Sequence, residues 1–496
     1  MNKNQESKAA LKSTGIVGGG QIINILIGLI RTKVVAIILG PTGVGIVGLL
    51  TTASDMVRNI TTIGIPFSGV RDISIASASE TDKEVSKVVS FFLKWMFYLS
   101  LLGSFTMIVL CVPLSNFMFG SDSYSSWIGI LSISVFFTSL SSGYASVMQG
   151  RRAITLMVKS GIVSNLISAI LTIILYIFLK KDAIVPALVT SAIVNFTVLY
   201  FYYKKLQIPK FSPRVTLTNT WPEAKTMISI GFFTIVVSVF DQIMSLGLRS
   251  FISDKAGVEG VGLFTAATTI ATTYLAIVLN SLGSDYYPRL AAINKDDNAL
   301  NVAVNTQLQI VLLLAVPFIV GMICFGDLVI KILYSKDFIM ANEVLKWQIL
   351  GDFFKIISWP CGYVFLAKGF GKLYVGFSIT YTLVYVAIIY FGWGSLGFFG
   401  IGISFFISQF LGLLFTYTYS YIKFKIKISA DNQKIIFFTS FILVIAYLVN
   451  TFLLDTLRIV FSISVFVIML GYSLKKLSPI MDIKEKIDKI KSQFKK

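Results

Sequence analysis

Histidine is absent from the 496 residues. That removes the usual near-neutral proton carrier and the commonest metal ligand, so no metal site and no cofactor are expected. Charge is scarce, at 14% of residues, where a soluble domain carries about 25%. Acid is scarcer than base, with 24 Asp+Glu against 43 Lys+Arg. The three cysteines, Cys111, Cys324 and Cys361, lie far apart in apolar stretches, which suggests neither a disulfide framework nor a zinc spacing. Enzyme signatures are missing too. Gly369-Phe370-Gly371-Lys372 lacks the spacing of a Walker A loop, and there is no Gly-x-Ser-x-Gly nucleophile elbow. Long polar segments are also missing, so no outer loop is large enough to fold around paired catalytic carboxylates. These absences argue against an ATP-driven pump, a hydrolase and a membrane glycosyltransferase or polymerase. The chain reads as a non-enzyme with no catalytic residues.

What is present is hydrocarbon: 55% of residues are hydrophobic and the mean hydropathy is +0.80. A transmembrane helix needs roughly 20 apolar residues, so fourteen would use about 280. Apolar spans are predicted near 14–39, 44–70, 89–112, 126–148, 155–179, 183–203, 226–251, 260–284, 302–325, 345–367, 373–392, 399–422, 435–453 and 457–474. They are apolar all round, unlike the alternating strands of a membrane barrel. Backbone groups in lipid must be satisfied internally, so the fold class is an all-α polytopic membrane protein. The first apolar stretch is too long for a signal peptide, so no cleavable leader is expected.

Basic residues set the orientation. With both termini in the cytoplasm, the inner segments hold roughly 30 Lys and Arg, including Arg151-Arg152, Lys204-Lys205 and Lys475-Lys476, and the outer ones about 7. The excess therefore reads as loops facing an anionic leaflet and not as a nucleic-acid surface. The expected organisation is a cytoplasmic N-terminus (1–13), an N-lobe of six helices (14–203), a cytoplasmic linker (204–225) with Pro209, Pro213 and Pro222, a C-lobe of six (226–422), a cytoplasmic loop (423–434), two further helices (435–474) and a basic tail (475–496). Ile480, Ile483, Ile487, Ile490 and Phe494 recur every three or four residues among lysines in the tail. That pattern suits an amphipathic helix on the inner leaflet.

The second half echoes the first. Thr42-Gly43-Val44-Gly45-Ile46 matches Glu259-Gly260-Val261-Gly262-Leu263 at an offset of 217, and Gly143-Tyr144 with Gly150 matches Gly362-Tyr363 with Gly369 at 219. Common helix-end chemistry would produce similar strings. A true repeat of six helices would give two parallel lobes around a midplane site, the layout of alternating-access transporters.

Charges inside the spans are expensive, at ~2.5–3.5 kcal/mol each on insertion scales. Arg31 and Lys33 lie in the first span, Asp55 and Arg58 in the second, Asp241 and Arg249 in the seventh, and Asp352 and Lys355 in the tenth. The pairs Asp55/Arg58 and Asp352/Lys355 are three apart, share a helix face and are placed to neutralise themselves. Arg31 and Lys33 point about 200° apart and cannot both face one cavity. Lys33 and Arg249 also have an interfacial escape by snorkelling. Base outnumbers acid within the spans, which suits an anionic visitor, and phosphate oxygens match guanidinium forks.

Several strings sharpen this reading. They are Lys33 with Leu39-Gly40-Pro41-Thr42-Gly43-Val44-Gly45, Gly64-Ile65, Gly69-Val70-Arg71, Leu248-Arg249, Tyr274-Leu275 with Pro288, and Trp347-Gln348-Ile349-Leu350-Gly351-Asp352-Phe353-Phe354-Lys355, followed by Gly362-Tyr363 and Ala367-Lys368. Through these the chain, over about residues 10–420, resembles the Wzx-type flippases for O-antigen and enterobacterial common antigen. Those belong to the polysaccharide-transporter branch of the multidrug/oligosaccharidyl-lipid/polysaccharide exporter superfamily. The resemblance implies two six-helix lobes in a pseudo-twofold arrangement around a cationic cavity, in the bacterial inner membrane. Undecaprenyl-pyrophosphate-linked oligosaccharide would cross that cavity from the inner to the outer leaflet. Polysaccharide polymerase and chain-length machinery are implied as partners, with membrane lipid around the tail.

Lys33, Arg249 and Lys355 match family positions as substrate-binding candidates, with Asp352 as partner of Lys355. Arg31, Arg58, Asp55 and Asp241 rest on depth and charge alone. Desolvation of a mid-membrane carboxyl such as Asp241 suits coupling to an ion gradient. The extra helix pair departs from the family pattern and resembles lipid II flippases. The alternatives are a lipid II-type flippase, a drug/cation antiporter of the same superfamily, and a membrane glycosyltransferase or polymerase.

Overall fold

A computed structural model describes residues 3–78, 82–208, 221–453 and 455–478. It is helical throughout, with no strand among the described residues. The helices are α1 Lys3–Thr62, α2 Ile65–Ala78, α3 Asp82–Val109, α4 Cys111–Phe119, α5 Ser125–Gly150, α6 Ile154–Leu179, α7 Ile184–Lys204, α8 Trp221–Ala292, α9 Asp297–Leu333, α10 Ala341–Ala367, α11 Gly371–Leu396, α12 Gly400–Phe424, α13 Ala430–Phe452 and α14 Asp455–Leu477. Among the described residues, ten helical stretches are long and apolar enough to cross a membrane. Most of the expected linker and the expected tail beyond Ser478 lie outside the described residues.

The predicted spans fall on these helices, with local differences. The predicted 44–70 span is broken at Ile63 and Gly64, both with positive φ (45° and 63°), so α1 ends and α2 begins there. Pro66 follows in the first turn of α2, where its missing N–H leaves no intrahelical bond unmade. The short helix α4 was not expected; it closes on Gly120 in the left-handed region.

The repeat is written in the backbone. Positive φ at Gly40, Arg152 and Lys180 recurs at Gly257, Gly369 and Gly397, in each case 217 residues later. Gly40 bends α1 (φ 65°, ψ −175°) and Gly257 bends α8 (φ 69°, ψ 173°). Glycine reaches this conformation without a Cβ clash. Lys180 and Gly397 begin the 3₁₀ turns that join α6 to α7 and α11 to α12.

The chain forms two compact units. One comprises Met1–Thr265 with Leu333–Asp337, the other Ala266–Ile332 with Phe338–Lys496. In the first unit the bend of α1 packs directly on the bend of α8. A Cβ on Gly45 would collide with the Val258 carbonyl oxygen, and one on Gly262 with the Pro41 carbonyl oxygen. The contact is reciprocal, each partner being the 217-residue counterpart of the other. It ties residues up to Thr265 of α8 into this unit. Elsewhere in the unit α2, α3 and α5 pack around Ile65, Ile73, Phe92, Met96 and Val147.

In the second unit α8, α9, α10 and α12 enclose Tyr286, Leu290, Leu300, Val304, Phe365 and Phe424. Helix α13 is fastened to α9 at both ends. Asn432 Nδ2 donates to the Asn305 carbonyl (2.8 Å) and side-chain oxygen (3.0 Å), and Asn450 Nδ2 donates to the Cys324 carbonyl (3.2 Å). Asn305 also holds the 425–429 connection, donating to the Lys427 carbonyl (2.7 Å) and accepting from Ser429 N (2.7 Å). The additional helices are therefore bonded to α9 at their start, and α14 meets it again where Phe466 sits edge-on to Phe325 (5.9 Å).

Candidate functional site

Each unit contains a chamber. The first, about 270 Å³, is bounded by α1, α5, α6 and α7. Arg31 reaches it from α1, and its Nη2 donates to Ser191 Oγ on α7 (3.4 Å). The rest of the lining is mainly hydroxyls and amides, among them Thr51, Ser54, Thr138, Ser164, Asn165 and Asn195. Most of these hydroxyls have spent their hydrogens on their own helices. Thr51 donates to Val47 O (2.7 Å), Ser54 to Leu50 O (2.9 Å), Thr138 to Ser134 O (2.7 Å) and Ser164 to Gly161 O (3.1 Å). Such back-bonding satisfies a hydroxyl within a helix and leaves its lone pairs turned outward. Asn165 Nδ2 similarly donates to Asn24 Oδ1 (2.9 Å). The chamber thus presents acceptors to sugar hydroxyls and one guanidinium to an anion.

Asp55 also lines this chamber, and Arg58 Nη2 lies 3.1 Å from its Oδ1. That pair neutralises itself as the spacing predicts. Lys33 is half-buried on the same helix as Arg31 but is not among the lining residues, consistent with their opposed directions.

Arg249 lies elsewhere, at the crossing of the bent helices. Its Nη1 donates to Thr265 Oγ1, its guanidinium sits over the Phe264 ring (5.4 Å), and a Cβ on Gly48 would crowd it at 3.0 Å. Thr265 in turn donates to Val261 O (2.7 Å). Snorkelling is not needed to explain Arg249, because its head group is built into the helix contact. Asp241, two turns earlier on α8, is exposed.

The second chamber, about 370 Å³, lies between α10, α11 and α12 and takes Lys355 into its lining. The expected Asp352/Lys355 pair makes no direct ion pair among the described residues, although the Lys355 charge still acts on Asp352. Asp352 is 2% exposed and accepts from the Tyr274 hydroxyl (2.8 Å), whereas Lys355 has no carboxylate within 4.0 Å among the described residues. Positions three apart on a helix differ by about 60°. That is enough here for one side chain to enter the α8 interface and the other the chamber. No cluster suited to a metal occurs among the described residues.

The residues that sequence reasoning missed are the neutral ones. Ser134 and Thr138 on α5, Ser164, Asn165 and Ser168 on α6, and Ser191 and Asn195 on α7 all line the first chamber. Their signal was present as three- and four-residue spacing inside apolar helices, the spacing of one helix face.

Comparison with known proteins gives a consistent picture. The chain is 21% identical over 374 residues to the lipid III flippase of Escherichia coli (strain K12), covering 74% of this chain and 87% of the relative. It is 23% identical over 384 residues to a Shigella flexneri protein named provisionally as an O-antigen transporter, covering 76% and 89%. Its fold is similar to that of the lipid II flippase MurJ in an inward closed conformation, with a TM-score of 0.66, 16% identity, and 92% of this chain and 98% of MurJ covered. An inward-facing multidrug transporter of the MATE family gives a TM-score of 0.67 at 15% identity, with 83% and 96% covered. Residues 34–342 match the family described as polysaccharide biosynthesis protein, and the chain belongs to that family.

Proposed function

We propose that this chain is a flippase that moves a polyprenyl-pyrophosphate-linked oligosaccharide, of the O-antigen repeat type, from the inner to the outer leaflet of the bacterial inner membrane. The observation that carries this reading is Arg31 at membrane depth in a chamber of hydroxyls and amides, whose one lining carboxylate, Asp55, is already engaged by Arg58. A guanidinium there suits pyrophosphate, and outward lone pairs suit sugar hydroxyls. A drug cation would need the opposite charge balance. The flippase and transporter names of the sequence relatives support the same reading.

The head group rides through the protein while the polyprenyl tail stays in lipid, and alternating access supplies the passage. Arg31 and Lys355 receive the anion and its sugars, and Arg58 neutralises the Asp55 carboxylate beside them. Arg249 and Lys33 position the helices around them. Asp241 is exposed, so its coupling role rests on its place in the span and not on desolvation by the protein; on that role D241N makes the rate insensitive to an ion gradient. Unchanged gradient dependence in D241N removes the coupling role.

The four stretches Gly19–Thr62, Ile154–Lys204, Val236–Ala276 and Gly371–Phe424 each exceed 40 residues. Each carries a positive-φ residue within it, at Gly40, Lys180, Gly257 and Gly397. Read as two crossings each, they bring the ten stretches to fourteen and leave both termini in the cytoplasm. Cysteines replacing Lys181 and Lys255 are then labelled from outside intact spheroplasts, and those replacing Lys205 and Lys427 only after permeabilisation.

The decisive experiment is deletion and reconstitution. A deletion strain accumulates lipid-linked repeat units on the inner leaflet, and purified protein in vesicles moves them across. Translocation of lipid II in place of the oligosaccharide carrier would shift the assignment to the lipid II-type reading. Failure with both substrates would overturn the flippase assignment.

A further inference from the structure

The second chamber differs in chemistry from the first. Trp359 and Tyr363 of α10, Tyr374 and Tyr381 of α11, and Phe415 of α12 form its walls. Two of these walls are fixed from behind. Tyr286, fully buried, stacks on Trp359 (5.7 Å, 23°) and donates its hydroxyl to the Pro360 carbonyl (3.0 Å). Tyr363 meets Trp359 edge-on (4.8 Å). Gly283 of α8 permits this approach, since a Cβ there would press on the Tyr363 hydroxyl (2.9 Å) and the Trp359 ring (3.2 Å).

Gln409 of α12 supplies the second observation. It is 7% exposed, lines the chamber, and makes no hydrogen bond among the described residues. Its amide atoms are not sealed from the chamber, so water or a guest there is what satisfies them, and an amide left unbonded would cost on the order of 1–3 kcal/mol. Lys355, which makes no direct ion pair within 4.0 Å among the described residues although its charge reaches Asp352, lies in the same lining. Ser358 and Ser408 have donated inward, to Lys355 O (3.0 Å) and Phe405 O (2.9 Å), so their lone pairs remain available.

We infer that the α10–α12 chamber is a carbohydrate subsite. It takes one pyranose of the cargo with its C–H-rich face against Trp359 and its polar edge on Gln409, separately from the pyrophosphate at Arg31. This deepens the flippase reading and rests on it for the identity of the cargo. The volume, about 370 Å³, lies in the range of small-molecule sites, roughly 300–1,000 Å³. A polyprenyl tail fits the aromatic walls but leaves the Gln409 amide and the Lys355 ammonium unanswered. A drug cation meets the ammonium with like charge.

The test is binding of a soluble sugar, which needs no lipid and no transport. Detergent-solubilised full chain is titrated by saturation-transfer NMR and calorimetry with the free repeat-unit oligosaccharide, released by mild acid from the host's lipid-linked pool. Farnesyl phosphate and rhodamine 6G serve as rival probes. The expected result is sugar binding that weakens about tenfold in W359A and about five- to tenfold in Q409L, with W359F intermediate. Melting curves confirm that each variant is folded, and the isosteric Q409L keeps the test open if W359A is not. The inference is overturned if the sugar does not bind, if W359F and Q409L bind it as the parent does, or if farnesyl phosphate or rhodamine 6G competes at this chamber. Sugar binding without any lipid-linked translocation leaves the subsite standing and refutes the flippase reading, so the two failures are distinguishable.

Discussion

The chambers of the two units are built on one repeated backbone and furnished differently. In the first, α5, α6 and α7 turn hydroxyls and amides toward Arg31. In the second, α10, α11 and α12 turn aromatic rings toward Lys355. The helix boundaries and positive-φ positions nevertheless repeat at 217 residues. The backbone fixes where a cavity forms, and side chains then divide its chemistry. On the proposed reading, an anion with its hydroxylated neighbour is served in one chamber and a stacked ring in the other.

Four experiments break or sharpen that contrast. The largest effect is expected where the two repeats touch. G262V forces a branched side chain into the Pro41 carbonyl, and overpacking of this kind costs about 1–3 kcal/mol or more. It should lower the melting temperature and abolish complementation of a deletion strain; wild-type behaviour in both would mean the crossing does not organise the first unit.

Next comes the anion side. R31Q removes a charge-assisted contact worth about 1.5–3 kcal/mol, so transport in vesicles should fall about ten- to hundredfold. K355Q, at the aromatic chamber, should fall less. An equal or reversed order would erase the division between the chambers.

A third variant addresses the second unit alone. N305A strips the side-chain bonds to Lys427, Ser429 and Asn432 and leaves the bond from Asn432 to the Asn305 carbonyl. A loss of about 1–3 kcal/mol should appear in thermal melting, and an unshifted melt would show that α13 is held by packing instead. The smallest effect is expected for T138V. Its hydroxyl hydrogen is already bound to Ser134, so only an acceptor is lost, and transport should drop about two- to fivefold. A hundredfold loss would mean that this hydroxyl donates to cargo.

Much of this was legible in the sequence. The apolar runs anticipated the helices, the two glycine strings at offsets of 217 and 219 anticipated the repeat, and the bends fall in gaps between predicted spans. Gly40, Pro41 and Gly257 mark the bends because few other residues tolerate that backbone. The charges at Arg31, Asp55 and Arg58 were identified by their cost in lipid. The direction each side chain takes was not legible. Asp352 and Lys355 were expected to pair, yet one turned to Tyr274 and the other to the chamber, because helix rotation is set by packing partners far away in sequence. Arg249 was read as a cavity or interface residue. Its place beside Gly48 and Thr265 depends on a crossing that joins residues about 200 positions apart. The serines and threonines passed unnoticed because a hydroxyl in an apolar helix is individually cheap.

Those hydroxyls bear on the return stroke. When cargo leaves, Thr51, Ser54, Thr138 and Ser164 keep their intrahelical partners, so emptying the vestibule orphans no hydrogen. Such a space can drain and narrow without holding a column of water.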